Sequence, residues 1–265
     1  MIALVRGELA KLLATRLPLA ALLTAFACGF GFTALLALVG PGDSTPPLPG
    51  VETAEGVGLV VGMGGLLLFV PALIGTVAVT GEYRHRTIGT TFLTVPRRGR
   101  VLVAKLLVFG GLGLAYGAVA AVGTAGALLA AAAMRGVSLG VPLGALAVML
   151  AQLALAAAVY SVLGVAIGAL ARNQLLAVGI VLGYFYFLEH VLLLIPGVNV
   201  IHPFLPGGAT AALTDFTFLS EAIGEQIPIS MPVATSPAIG ALVLFGYAAV
   251  AAVVAVAVPL RRDVR

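Results

Sequence analysis

The sequence predicts an all-α integral membrane protein of six transmembrane helices, with an amphipathic interfacial helix before them and broken re-entrant or outer-surface helices between spans five and six. Three observations carry that prediction. Hydrophobic residues make up 61% of the chain and charged residues only 9%, against about 25% in soluble domains, so there is too little polar surface to cover a globule in water. The apolar residues gather in runs long enough for a helix to cross a bilayer core about 30 Å thick, which takes about 20 residues. Those runs also lack the alternation of a membrane barrel, and a helix satisfies its own backbone hydrogen bonds in lipid. No segment has the composition of a separate soluble unit, so residues 1–265 read as a single transmembrane domain.

Residues 1–16 carry Ile2, Val5, Leu9 and Leu12 at the spacing of one helical face, with Arg6, Glu8, Lys11 and Arg16 elsewhere, which suits a helix lying in the interface. A signal-peptide n-region has similar charge. The apolar run that follows, residues 17–39, outlasts the roughly 7 to 15 residues of an h-region, so it reads as an uncleaved first span. It holds the single cysteine, Cys28, which excludes a disulfide framework and a cysteine metal site. Ala25-Phe26-Ala27 has a faint likeness to a lipoprotein cleavage site, but the chain stays apolar to Val39, and Cys28 reads as a buried core residue.

Residues 40–55 are rich in Pro and Gly and form a loop. The second span, 56–80, opens with Gly56, Gly58, Gly62, Gly64 and Gly65, which permit close helix packing. A basic loop, 81–100, leads to the third span, 101–134, which is longer than a straight crossing needs and so tilts or projects. The fourth span is 141–170, the reversal 171–174 follows, and the fifth span is 175–195. An outer segment, 196–236, is too apolar for a freely solvated loop and too broken for a span. It reads as re-entrant, or as surface helices capping the bundle. The sixth span is 237–260, ahead of a tail with Arg261, Arg262 and Arg265. With the amino terminus in the cytoplasm every Lys and Arg except Arg135 lies inside, so both termini are expected to be cytoplasmic. The net charge of +4 is thereby explained by topology, and with no solvated basic domain nucleic acid is not an expected partner.

The loop between spans two and three concentrates Arg84, Arg86, Arg97, Arg98, Arg100 and Lys105. Within it Ile88, Phe92 and Val95 share a helical face, while Thr87, Thr90, Thr91 and Thr94 line others and Pro96 ends the pattern. A short amphipathic helix there either lies in the headgroups, its arginines on phosphate, or enters a groove on a cytoplasmic partner. Arg97, Arg98, Arg100 and Lys105 read as anchors at the foot of span three. Far from this loop, Glu189 and His190 are an ionisable pair within the fifth apolar run. They belong either to an outer gate or substrate path or to an interfacial pair, with His202 in reach of either. Tyr184 and Tyr186 are further candidates for the path. Tyr116, Gln152, Tyr160 and Ser161 read as interhelical hydrogen-bonding groups, and Gly58/Gly62, Gly113/Gly117, Gly164/Gly168 and Gly179/Gly183 as packing pairs. No metal site is expected.

Gly81-Glu82, Arg84, Thr87-Ile88, Pro96-Arg97-Arg98 and Ala104-Lys105 resemble the first cytoplasmic loop of the permeases of type-2 ABC exporters, and the layout of the whole chain is similar to their compact multidrug-type members. The resemblance implies a permease without catalytic residues that pairs with a second copy of itself and docks two copies of a cytoplasmic ABC ATPase. The ATPase contact is a coupling helix in the 81–100 loop, carried by Glu82, Tyr83, Arg84, Arg86, Thr87, Ile88, Thr91 and Phe92. The chain has no Gly-x-x-x-x-Gly-Lys-Ser/Thr phosphate loop, so no cofactor is expected on it, and ATP and Mg belong to the partner ATPase. The apolar walls suit a hydrophobic or amphipathic substrate, drug or lipid-like, moved across the cytoplasmic membrane, and membrane lipid is a further expected partner. Two alternatives remain at this stage: a proton-coupled secondary exporter using Glu189 and His190, and a non-transporting structural subunit.

Overall fold

The computed structural model describes residues 1–43, 48–85, 87, 98–216, 232 and 235–257, and every regular element among them is helical. Six helices are long and apolar enough to cross a membrane: Leu17–Leu38, Ala54–Arg84, Gly99–Arg135, Leu143–Ala171, Gln174–Leu194 and Pro237–Ala257. The interfacial helix α1 (Ile2–Leu13) precedes them. It stops at Thr15, whose hydroxyl donates to the Leu12 carbonyl at 2.8 Å and accepts from the Leu17 amide at 3.3 Å. Pro18 then sits in the first turn of α2, where its missing N–H is no loss.

Three of the spans are interrupted. Span one consists of α2 (Leu17–Phe26), a π-helical segment Ala27–Phe32, and α3 (Thr33–Asp43). Span two consists of α4 (Ala54–Met63), a 3-10 turn Gly64–Leu67, and α5 (Phe69–Arg84). Thr53 caps α4, its hydroxyl accepting from the Gly56 amide at 3.0 Å. Spans three and four are the unbroken helices α6 (Arg98–Arg135) and α7 (Leu143–Ala171). Span five consists of α8 (Gln174–Val181), a π-helical segment Leu182–Leu188, and α9 (Glu189–Leu194). A 3-10 turn Asn199–Phe204 and α10 (Pro206–Leu213) follow, and α11 (Pro237–Ala257) is span six. Of the segment 196–236, residues 217–231, 233 and 234 lie outside the described residues.

The most buried span is α7, which packs between α5 and α6 and also meets α11. Small residues allow this. A Cβ on Gly164 would overlap the Ala72 carbonyl, and one on Gly117 would overlap Ala154, so backbone meets backbone on both sides of α7. Ser161 donates to the Phe109 carbonyl at 2.7 Å and Thr76 to the Gly164 carbonyl at 3.0 Å, each an interhelical bond worth about 0.6 to 2 kcal/mol. By contrast nothing among the described residues lies within 4 Å of a Cβ built on Gly179 or Gly183. A second apolar cluster joins Ala37, Val51, Val57, Leu128 and Leu146 at the end of the bundle away from α1.

One expectation changes in detail. The basic loop is shorter than 81–100, because α5 continues to Arg84 and α6 begins at Arg98; nothing in Gly81-Glu82-Tyr83-Arg84 stops a helix whose charged side chains find partners. The face of α1 that packs on the bundle carries Glu8 and Leu12. Glu8 and Leu12 are buried with Val5 beside them, whereas Ile2 and Leu9 are exposed. Glu8 turns inward to meet a base.

Candidate functional site

At the end of the bundle that carries α1, Lys105 stands two turns into α6 with only 1% of its surface exposed. Its ammonium donates to Glu8 Oε2 of α1 at 2.6 Å and to Glu82 Oε1 of α5 at 2.5 Å. Lys11 adds a second bond to Glu8, at 2.8 Å. Three elements are thus tied by one buried cation. Burial pushes the Glu8 carboxyl upward, but the charge and hydrogen bonds of Lys105 and Lys11 outweigh it and hold the group below the usual carboxylate range. Lys105 is therefore a buried tie and not a surface anchor. Two residues along α5, the exposed Arg84 donates to Gln174 Oε1 at 3.3 Å, which sets the start of the basic loop against the reversal between spans four and five. Tyr83, Arg84, Arg172, Asn173 and Gln174 line an open groove there. Arg172 adopts a left-handed φ of 55° and the Asn173 side chain caps α8, so the reversal is sharp. Thr87 closes a wide turn on the Glu82 carbonyl, its amide donating at 3.0 Å.

The opposite end of the bundle carries a cavity of about 950 Å³ with the open space at its mouth counted in, whose walls include Phe69, Tyr160, Phe185, His190, His202 and Thr210. Glu189 forms its polar corner and is 2% exposed. Its Oε1 accepts from the amides of Gly207 and Gly208, the latter at 3.3 Å. Those are first-turn amides of α10, which no side chain of α10 itself can satisfy. Gly207 leaves room for the carboxylate, since a Cβ there would crowd Glu189 Oε1. The Tyr160 ring meets Phe185 at a centroid distance of 5.0 Å, and the Thr210 and Tyr160 hydroxyls are 3.4 Å apart. His190 Nδ1 has no hydrogen-bond partner among the described residues. Among them, too, no group of three or more His, Cys, Asp or Glu side chains is placed to hold a metal ion.

A family model described as ABC-2 family transporter protein matches residues 4–188 of this six-span bundle. The chain belongs to the ABC-2 transporter family. A comparison with curated proteins gives no match. The family identifies a multi-pass membrane transport component, and the match takes in α1, the first four spans, the basic loop and the π-helical segment of span five.

In this ABC-2 permease the residues singled out in the sequence fall into two groups. Of the basic-loop set, Glu82 is drawn into the Lys105 cluster, Tyr83 and Arg84 line the groove beside Gln174, and Thr87 is exposed. Arg86, Ile88, Thr91 and Phe92 lie outside the described residues. Of the far set, Glu189, His190 and His202 share one cavity. Tyr186 does not line it; 64% exposed, it meets Phe69 edge-on at 5.7 Å. Sequence reasoning overlooked Glu8 and Gln174 as partners and the Gly207-Gly208 amides as the counterpart of Glu189. The available signal was Lys105 itself, a base continuous with an apolar run, which requires a carboxylate nearby.

Proposed function

We propose that this permease is the membrane-spanning subunit of an ATP-driven exporter that moves a hydrophobic or amphipathic molecule, drug or lipid-like, across the cytoplasmic membrane. It works as a pair of identical chains with both termini in the cytoplasm, and each chain docks one copy of a cytoplasmic ATPase that binds ATP and Mg. The observation that carries this reading is the family match across α1, the basic loop, the first four spans and most of the fifth. The loop between α5 and α6 is the ATPase contact. Ile88 and Phe92 fill a groove on the ATPase, with Arg84, Arg86, Thr87 and Thr91 around them. The polar ties at its start suit that task, because a push on the loop reaches α1 and α6 through Glu82 and Lys105, and span five through Arg84 and Gln174. At the other end Glu189, His190 and His202 form the outer gate. The two backbone amides on Glu189 favour a latch over a proton relay, since its carboxylate is already spent on holding α10.

The test is to reconstitute the permease with its ATPase and combine Arg84→Ala with Phe92→Ala. Transport is expected to fall at least about tenfold, the loss of one or two groove contacts, while the ATPase still hydrolyses ATP. Normal binding and transport by the double variant would remove the docking assignment. Transport that persists without ATP and collapses with the proton gradient would replace the exporter reading altogether.

A further inference from the structure

A second cavity, about 480 Å³ with the open space at its mouth counted in, lies between the first four spans, apart from the far-end site. Its walls are almost wholly apolar and include Phe32 of the π-helical segment of span one, Leu67 of the 3-10 turn of span two, and Leu153 of span four. Polar groups are few, and most are already engaged. Thr33 donates to Thr124 at 3.3 Å, and Thr124 donates to the Gly29 carbonyl at 3.3 Å. Tyr116 is different. The residue is 3% exposed, and its enclosed hydroxyl makes no geometrically sound hydrogen bond among the described residues. The Cys28 thiol beside it is a weak acceptor.

A buried hydroxyl left without a partner costs about 1–3 kcal/mol, and phenylalanine would fill the same space without that cost. The ring packs in the core as a phenylalanine would, and the hydroxyl adds no more than the weak contact with Cys28. The cavity is walled by two helix irregularities, a local geometry that recurs at functional sites, and Cys28 and Phe32 on its span-one wall are only partly buried. We propose that this cavity is an intramembrane binding site for an apolar small molecule bearing one hydrogen-bond acceptor. The acceptor takes the Tyr116 hydroxyl hydrogen, and the apolar body lies against Phe32, Leu67 and Leu153. The site goes beyond the exporter reading and does not depend on it, because binding to the permease needs no ATPase.

Benzophenone is a suitable probe, being an apolar ketone that forms a covalent bond to nearby C–H groups under ultraviolet light. With the full-length permease in lipid nanodiscs, photoadducts are expected to saturate with benzophenone concentration and to map to the peptides containing residues 28–33 and 150–157. Tyr116→Phe keeps the ring and removes the donor, so its half-saturating concentration is expected to rise about three- to tenfold, the worth of one hydrogen bond, with thermal stability unchanged or raised. Unsaturable adducts spread over lipid-facing residues such as Leu23 and Val122, which are 63% and 69% exposed, would overturn the site. Equal half-saturation in Tyr116→Phe would overturn the role of the phenol and with it the acceptor.

Discussion

Lys105 illustrates how one side chain organises an end of the bundle. Buried alone, its ammonium would be costly, and buried between Glu8 and Glu82 it neutralises charges drawn from two other elements. Lys105→Ala leaves two carboxylates facing each other, so a loss of about 3–5 kcal/mol is expected, seen as a fall in the melting temperature of the purified permease. Replacing the three charges together by Leu, Leu and Met is expected to recover most of it, because apolar groups carry no desolvation cost. The sign of the pH effect follows from Glu8. Its carboxyl lies below the ordinary value of 4.5 in the folded chain, so its contribution is complete above about pH 4.5 and is lost as pH falls through the lower, folded value. Hydrogen exchange of the α1 amides is expected to accelerate only in that acid window; protection that is flat down to pH 3 would count against the tie. The need for a carboxylate was legible in Lys105, a base continuous with an apolar run, but its identity was not, because Glu8 and Lys105 are separated by 97 positions.

At the scale of elements, the helices were legible because apolar run length is a direct imprint of bilayer thickness. Their interruptions were not. The π-helical segments at 27–32 and 182–188 and the 3-10 turn at 64–67 lie inside uninterrupted apolar runs, where composition changes little and only glycines hint at irregularity. Small-residue pairs were readable as packing devices in number but not in partner. Gly164 meets the Ala72 backbone, whereas Gly179 meets nothing among the described residues. Gly164→Ala is therefore expected to cost at least about 1–3 kcal/mol through overpacking between α5 and α7. Gly179→Ala is expected to stay within about 0.5 kcal/mol of the parent. Thermal unfolding of the two variants side by side measures the contrast, and equal losses would refute the close approach.

For the whole molecule, the polar ties sit at opposite ends of an apolar bundle, Lys105 at one and Glu189 at the other. Residues so far apart with no shared partner contribute independently. Combining Lys105→Ala with Glu189→Ala is expected to give the sum of the single losses to within about 0.5 kcal/mol. Hydrogen exchange is expected to rise in α1 for the first variant and in 199–213 for the second. The candidate site was legible in part for the same reason: ionisable residues stand out against an apolar background, so Glu189, His190 and His202 were found, while the backbone amides and aromatic walls that complete their cavity carry no such contrast. One turn lies between the ends. Gly65 and Leu66 border the far-end cavity, and Gly64 and Leu67 border the cavity of Tyr116. The 3-10 turn Gly64–Leu67 is thus a partition with a chamber on each side, and space gained by one chamber when it shifts is taken from the other. A ligand that displaced the turn from one side would change the space on the other, and a linkage of that kind acts equally in both directions.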